Sequence, residues 1–203
     1  MQFEKGYIYH VYNQGNNRQK IFFQKRNYEF FLKKIETNIK PFADILAYCL
    51  MPNHFHLMVL VRELDLPNPS EGFAQSEALA YRSINQSIGI MLRSYTNAIN
   101  KQEKRTGTLF RKQTKAECVN CPDGITRSFI TKEGITEVMQ SLPELQYPQV
   151  CFNYIHLNPV KAGLVKKTED WEFSSAGVYS GKRKSTLVNI DMAKEYIEIN
   201  NFK

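Results

Sequence analysis

The element order legible in this sequence is strand, helix, strand, strand, helix, strand, helix. That order predicts an α+β fold, a ferredoxin-like or RRM-like plait with a mostly antiparallel sheet and helices packed on one face. Two further observations support it. The chain has 203 residues, 42% hydrophobic and 12% aromatic, enough to bury a core in one ordinary domain. Two strand-length apolar runs, 43–51 and 54–61, are separated only by Pro52-Asn53, the chemistry of a tight hairpin turn. Residues 1–180 therefore read as one domain with insertions near 62–80 and 118–147, and 181–203 as a basic tail carrying a short helix.

The elements follow in order. YIYHVYN at 7–13 is aromatic and β-branched, and reads as a strand that Gly15-Asn16-Asn17 breaks. Tyr28, Phe31, Leu32, Ile35 and Ile39 recur at helical spacing, so 27–39 is predicted helical, with Pro41 ending it. Strands at 43–51 and 54–61 form the hairpin. Pro67, Pro69, Ser70 and Gly72 mark 62–80 as a loop. Ile84, Ile88, Met91, Tyr95 and Ile99 give the apolar stripe of a long helix over 81–102. A basic turn, 104–117, runs into a strand. Residues 118–145 read as an irregular insertion with one short helix. Residues 148–157 read as a helix bounded by Pro148 in its first turn and Pro159 beyond its end. A last short helix falls near 191–199.

Lys and Arg number 27 against 20 Asp and Glu, a formal net charge of +7. That excess favours an anionic partner, nucleic acid above all. No apolar run is long enough to span a membrane, and the opening MQFEKGYIYH holds no stretch of signal-peptide length, so no membrane partner and a cytoplasmic location are expected. In that setting Cys49, Cys118, Cys121 and Cys151 are expected as free thiols. Cys118-Val-Asn-Cys121 has the spacing of half a zinc site, but the sequence offers no second pair to complete it.

Three groups of residues carry candidate chemistry. Side chains alternate along a strand, so His54 and His56 leave one face together, and two imidazoles so placed can share a divalent cation. The plain alternative is a pair of surface histidines. In Tyr154-Ile155-His156-Leu157-Asn158-Pro159, helical geometry puts Tyr154 and Asn158 on one face about 6 Å apart along the axis. A phenol can attack phosphorus and an amide oxygen can ligate a hard cation; the alternative is a core-edge tyrosine followed by a helix stop. Lys104, Arg105, Arg111, Lys112 and Lys115 surround Phe110, a combination that contacts phosphates and stacks on bases, or is simply a solvated hairpin. Arg82, Arg93 and Lys101 on the preceding helix extend the basic surface. Gly181-Lys182-Arg183-Lys184 reads equally as a backbone contact or a solvated loop.

Taken together these segments resemble one family. MPNHFHLMV at 51–59 resembles the HUH-motif strand of the single-tyrosine transposases, in particular the REP-associated tyrosine transposases and their insertion-sequence relatives. YHVYNQGNNRQKIF at 9–22, RTGTLFRKQTKAE at 105–117, YIHLNPVKAGLV at 154–165 and WEFSSAGVY at 171–179 resemble that family's opening strand, basic hairpin, tyrosine helix and trailing segment, in the same order. The segment 118–147 is longer than the family pattern and 62–80 is expanded.

The resemblance implies a transposase acting on single-stranded or hairpin DNA. Tyr154 would be the nucleophile. His54, His56 and Asn158 would ligate Mg²⁺ or Mn²⁺, and Arg93, Lys104, Arg105, Phe110, Arg111, Lys112 and Lys115 would hold DNA. It further implies attack on a DNA phosphate to give a 5′-phosphotyrosine and a free 3′-OH, reversible by a second 3′-OH without ATP. A homodimer is compatible with it, since relatives include dimers and monomers. Two readings stand beside this one: a non-catalytic nucleic-acid-binding module on the same plait, and a zinc-stabilised interaction protein using Cys118 and Cys121.

Overall fold

The structure, a computed structural model, describes residues 1–67, 81–121 and 147–199 in full and the backbone of 129–132 and 135–138. Its centre is a four-stranded sheet of β1 (Ile8–Gln14), β2 (Ala43–Met51), β3 (His54–Val61) and β6 (Lys115–Cys118), in the order β2-β3-β1-β6. Every neighbouring pair is antiparallel. This is the ferredoxin-like order that the element sequence predicts.

Helix α1 (Lys25–Asn38) follows β1, and α2 (Ile84–Gln102) precedes β6. Both bury their apolar stripes on one face of the sheet, where Phe31, Ile35, Ile88, Met91 and Tyr95 meet Val11, Leu50, Phe55 and Leu57. Removing a ring such as Phe31 from water contributes roughly 1.5–3 kcal/mol. The start of α2 is fixed by a capping box. Ser83 Oγ accepts from the Gln86 N–H at 3.2 Å, and the Gln86 side chain accepts from the Ser83 N–H at 2.8 Å. The helix thus begins three residues later than its periodicity predicts. Tyr81–Ser83 instead forms β5, paired with β4 (Asp65–Pro67), so the two ends of the expected loop zip together.

The third helix, α3 (Tyr147–Lys161), packs on the opposite face. There Cys151, Phe152 and Ile155 join Ile8, Leu46, Met51 and Met58 in a second core. The helix runs through Pro159, which the sequence reading placed past its end. A proline deletes one N–H, and packing on both flanks outweighs that loss. The stop is Gly163 instead, at φ 68°, with Gly163 N donating to Val160 O and Leu164 N to Pro159 O, a Schellman closure.

The outer edge of β2 is covered by the chain from the trailing segment. Leu50 N donates to Phe173 O, Ser175 N to Tyr48 O, and Val188 bridges Ile45. The short helices α4 (Ala176–Tyr179) and α5 (Ile190–Lys194) flank this cover. Leu187 and Val188 enter the first core, and Ala193 and Ile197 the second. Within the basic stretch at 182–184, Lys182 pairs with Glu169 and Asp170, and Arg183 donates to the carbonyls of Trp171, Glu172 and Ser174.

In the insertion, β7 (Phe129–Lys132) and β8 (Ile135–Val138) form an antiparallel hairpin; the short helix expected there falls outside the described residues. One expectation is corrected. Cys118 and Cys121 are joined by a disulfide, with Cα atoms 5.8 Å apart, while Cys49 and Cys151 are free and buried. The turn closing β6 brings the two thiols together, which takes both from a zinc site. No helix among the described residues is long and apolar enough to cross a membrane.

Candidate active site

The site is built by strand alternation and register. β1 lies antiparallel to β3 with Tyr12 opposite His56 and Gln14 opposite His54. His10, Tyr12, His54 and His56 therefore share the face that α3 covers. The close turn after β1 fixes the end of this array. A Cβ on Gly15 would lie 2.1 Å from Gln19 O, so only glycine lets the chain fold back there. The same turn docks on the β2–β3 hairpin, with Gly15 N donating to Asn53 O and Ile21 N to Pro52 O.

Helix α3 brings the other half. Its buried stripe leaves Tyr154 at the rim, 37% exposed, with its ring centre 5.4 Å from that of His56 and 6.0 Å from that of His10. Asn158, one turn on, donates from Nδ2 to the Tyr154 carbonyl at 2.8 Å. Its side chain also acts on the His54 ring, whose pKa it raises, and on the Tyr154 phenol, whose pKa it lowers. Lys161 Nζ stands 5.7 Å from the centre of the Tyr154 ring. Tyr154, His54, His56 and Asn158 thus come together within one chain, which the strand and helix periodicities left open.

The protonation states suit cation binding. Burial holds His56 well below the ordinary histidine range, reinforced by His10 and His54, and burial lowers His54 as well, opposed by Asn158. Both rings are neutral near pH 7. His54 Nδ1 lies 2.6 Å from Asn53 Oδ1, an acceptor only, so the ring proton sits on Nδ1 and the lone pair on Nε2. His56 Nδ1 lies 2.9 Å from His10 Nε2, and His56 Nε2 is buried without a hydrogen-bond partner. An orphaned imidazole nitrogen on His56, beside the His54 ring and the Asn158 amide, fits a divalent cation. Among the described residues no group of three or more His, Cys, Asp or Glu is arranged to hold a metal.

Burial raises the Tyr154 phenol above its ordinary range, and Asn158 opposes that shift. Tyr12 is a second phenol on the same face, but its hydroxyl donates to Glu117 Oε1 at 2.6 Å. Sequence reasoning missed His10, Tyr12 and Glu117. The alternation of YHVY puts His10 and Tyr12 on one face, but only the register with β3 shows that this face carries the histidines. The fourth histidine, His156, is fully buried on α3 and bonded to Ser175 Oγ at 2.7 Å, with burial holding it at about 3.

The expected DNA-contacting residues divide. Arg93, Arg111, Lys112 and Lys115 line an open groove of about 900 Å³ between α2 and the 107–116 segment, and among the described residues no carboxylate lines it. Lys115 is opposite Tyr12 in the ladder, so the groove ends beside the histidine face. Lys104 and Arg105 do not line it, and the Arg105 guanidinium donates to Gln19 Oε1 at 2.9 Å. Phe110 also lines the groove, but most of its ring is in the core. It is 7% exposed and packs 6.0 Å from both Phe55 and Tyr95, because its backbone bridge to Gly15 turns the ring inward. Arg82 stacks over Phe42 and does not line the groove.

No protein-family model matches the chain, and no curated protein matches it in sequence. Among solved structures it is similar to a REP-associated tyrosine transposase bound to a REP hairpin. The TM-score is 0.52 at 17% identity, over 94% of this chain and 87% of that one. At that identity the likeness is one of fold, and it extends over nearly the whole chain.

Proposed function

We propose that this chain cleaves and rejoins single-stranded or hairpin DNA as a single-tyrosine transposase, with Tyr154 as nucleophile and His54, His56 and Asn158 holding Mg²⁺ or Mn²⁺. The observation that carries the reading is the meeting of a half-exposed tyrosine with two neutral imidazoles and an amide, 5.4 Å between the Tyr154 and His56 ring centres. The fold shared with a hairpin-bound REP-associated tyrosine transposase supports the choice of substrate.

A bound cation would supply charge to polarise a phosphate oxygen. Tyr154 Oη attacks phosphorus, forming the Oη–P bond and breaking the P–O3′ bond. The phenol gives up its proton and the departing 3′ oxygen gains one. The phosphotyrosine keeps the ester, so a second 3′-OH can reverse the step. Asn158 steadies the phenolate, and Arg93, Arg111, Lys112 and Lys115 hold the DNA backbone in the groove that ends beside Tyr12. His54 and His56 enter without losing a proton, because burial keeps both neutral.

The test is incubation with a labelled hairpin oligonucleotide and Mn²⁺. A covalent adduct that survives denaturing electrophoresis and is lost with Tyr154→Phe and with chelator is expected. An adduct that persists in Tyr154→Phe and disappears in Tyr12→Phe would move the nucleophile to the Glu117-bonded phenol. Tight hairpin binding with no adduct under any metal would favour a non-catalytic binding module.

A further inference from the structure

The three histidines of the site do not play equivalent parts. His10 and His56 are stacked, ring centres 5.0 Å apart and planes 24° apart, and joined by the 2.9 Å contact between His10 Nε2 and His56 Nδ1. Tyr12 packs against both rings, 4.7 Å from His10 and 5.8 Å from His56. Both histidines are buried, and one proton lies between the two nitrogens. If His10 carried it, neutral His56 would hold its own proton on Nε2, as a buried N–H with no acceptor. If His56 Nδ1 carries it, the lone pair falls on Nε2, the atom that has no partner in the chain.

We infer that His10 is a positioning residue: its Nε2 accepts the His56 Nδ1 proton and so fixes the His56 tautomer that presents an Nε2 lone pair to a divalent cation. The inference rests on the reading of His56 as a metal ligand. It extends that reading by giving His56 an outer partner, as Asn53 is for His54. Ligating histidines characteristically donate their other ring N–H to such a partner, which fixes tautomer and ring plane.

Two measurements on the full chain test it. Long-range ¹H–¹⁵N spectra of the metal-free protein should show His56 protonated on Nδ1, and His10→Phe should move the proton to Nε2 or mix the two. Mn²⁺ titration by calorimetry should show His10→Phe, which keeps a stacked ring without an acceptor, binding roughly 10–100-fold more weakly. His10→Gln, whose amide oxygen restores an acceptor, should recover most of the affinity. A native His56 protonated on Nε2 overturns the inference, as does native Mn²⁺ affinity in His10→Phe. A native chain with the Nδ1 tautomer that binds no Mn²⁺ would instead overturn the metal reading and leave the tautomer control standing.

Discussion

Ser175→Ala should cost this protein far more than the loss of one hydroxyl suggests. Ser175 Oγ is fully buried and receives the Tyr48 N–H at 2.9 Å, lies 3.2 Å from Tyr48 O, and bonds His156 Nε2 at 2.7 Å. It latches the trailing segment to the edge strand β2 and to the helix that carries Tyr154. Alanine leaves the Tyr48 N–H buried without an acceptor, which costs about 1–3 kcal/mol, and removes a bond to His156 worth about 1 kcal/mol. A total near 3 kcal/mol lowers Tm by roughly 6–12 °C in a chain of this size. Urea unfolding followed by circular dichroism measures it. The double variant Ser175→Ala/His156→Leu should be less destabilised than the sum of the singles, because each removes the other's partner. A loss below about 0.5 kcal/mol in Ser175→Ala would refute the latch.

Acid should destabilise the fold before carboxylates protonate. Burial holds His10 at about 4 and His156 at about 3, against 6.5 in the unfolded chain. Below pH 6.5 the unfolded chain takes up protons that the folded one refuses, so stability present above 6.5 is lost as pH falls toward 4, by up to about 1.4 kcal/mol per pH unit for each histidine; equal stability at pH 7 and 5 would contradict this. Arg111→Ala and Lys112→Ala should each weaken hairpin binding and reduce the salt slope by about 1, whereas Lys104→Ala, outside the groove, should leave the slope unchanged. Because Tyr154 meets the histidines of its own chain, mixing Tyr154→Phe with His56→Ala should restore no cleavage. Restored cleavage would mean that chains exchange their helices.

Much of the fold was legible because its signals are local. The Pro52-Asn53 turn, the period of Tyr28 through Ile39 and the Ile84–Ile99 stripe each decide an element without help from distant residues. The face opposite α1 and α2 was not legible, since only register between β1 and β3 brings His10 and Tyr12 beside His56. The end of α3 was misplaced because Asn158-Pro159 is a local stop signal, outweighed by burial of Ile155 and Pro159 and by the closure at Gly163. The burial of Phe110 was not legible for a related reason: its basic neighbours face outward, but the bridge to Gly15 turns most of its ring into the core. The Cys118–Cys121 bond also escaped the sequence reading, which took the compartment rather than the turn as its guide.

The central claim is that Tyr154 carries the DNA. Proteolysis and mass spectrometry of the covalent hairpin adduct test it residue by residue. The phosphodiester-linked nucleotide should map to the phenol of Tyr154, attached through a 5′ phosphate with a free 3′-OH on the released strand. Attachment to any other side chain, or a 3′-linked product, would contradict the account.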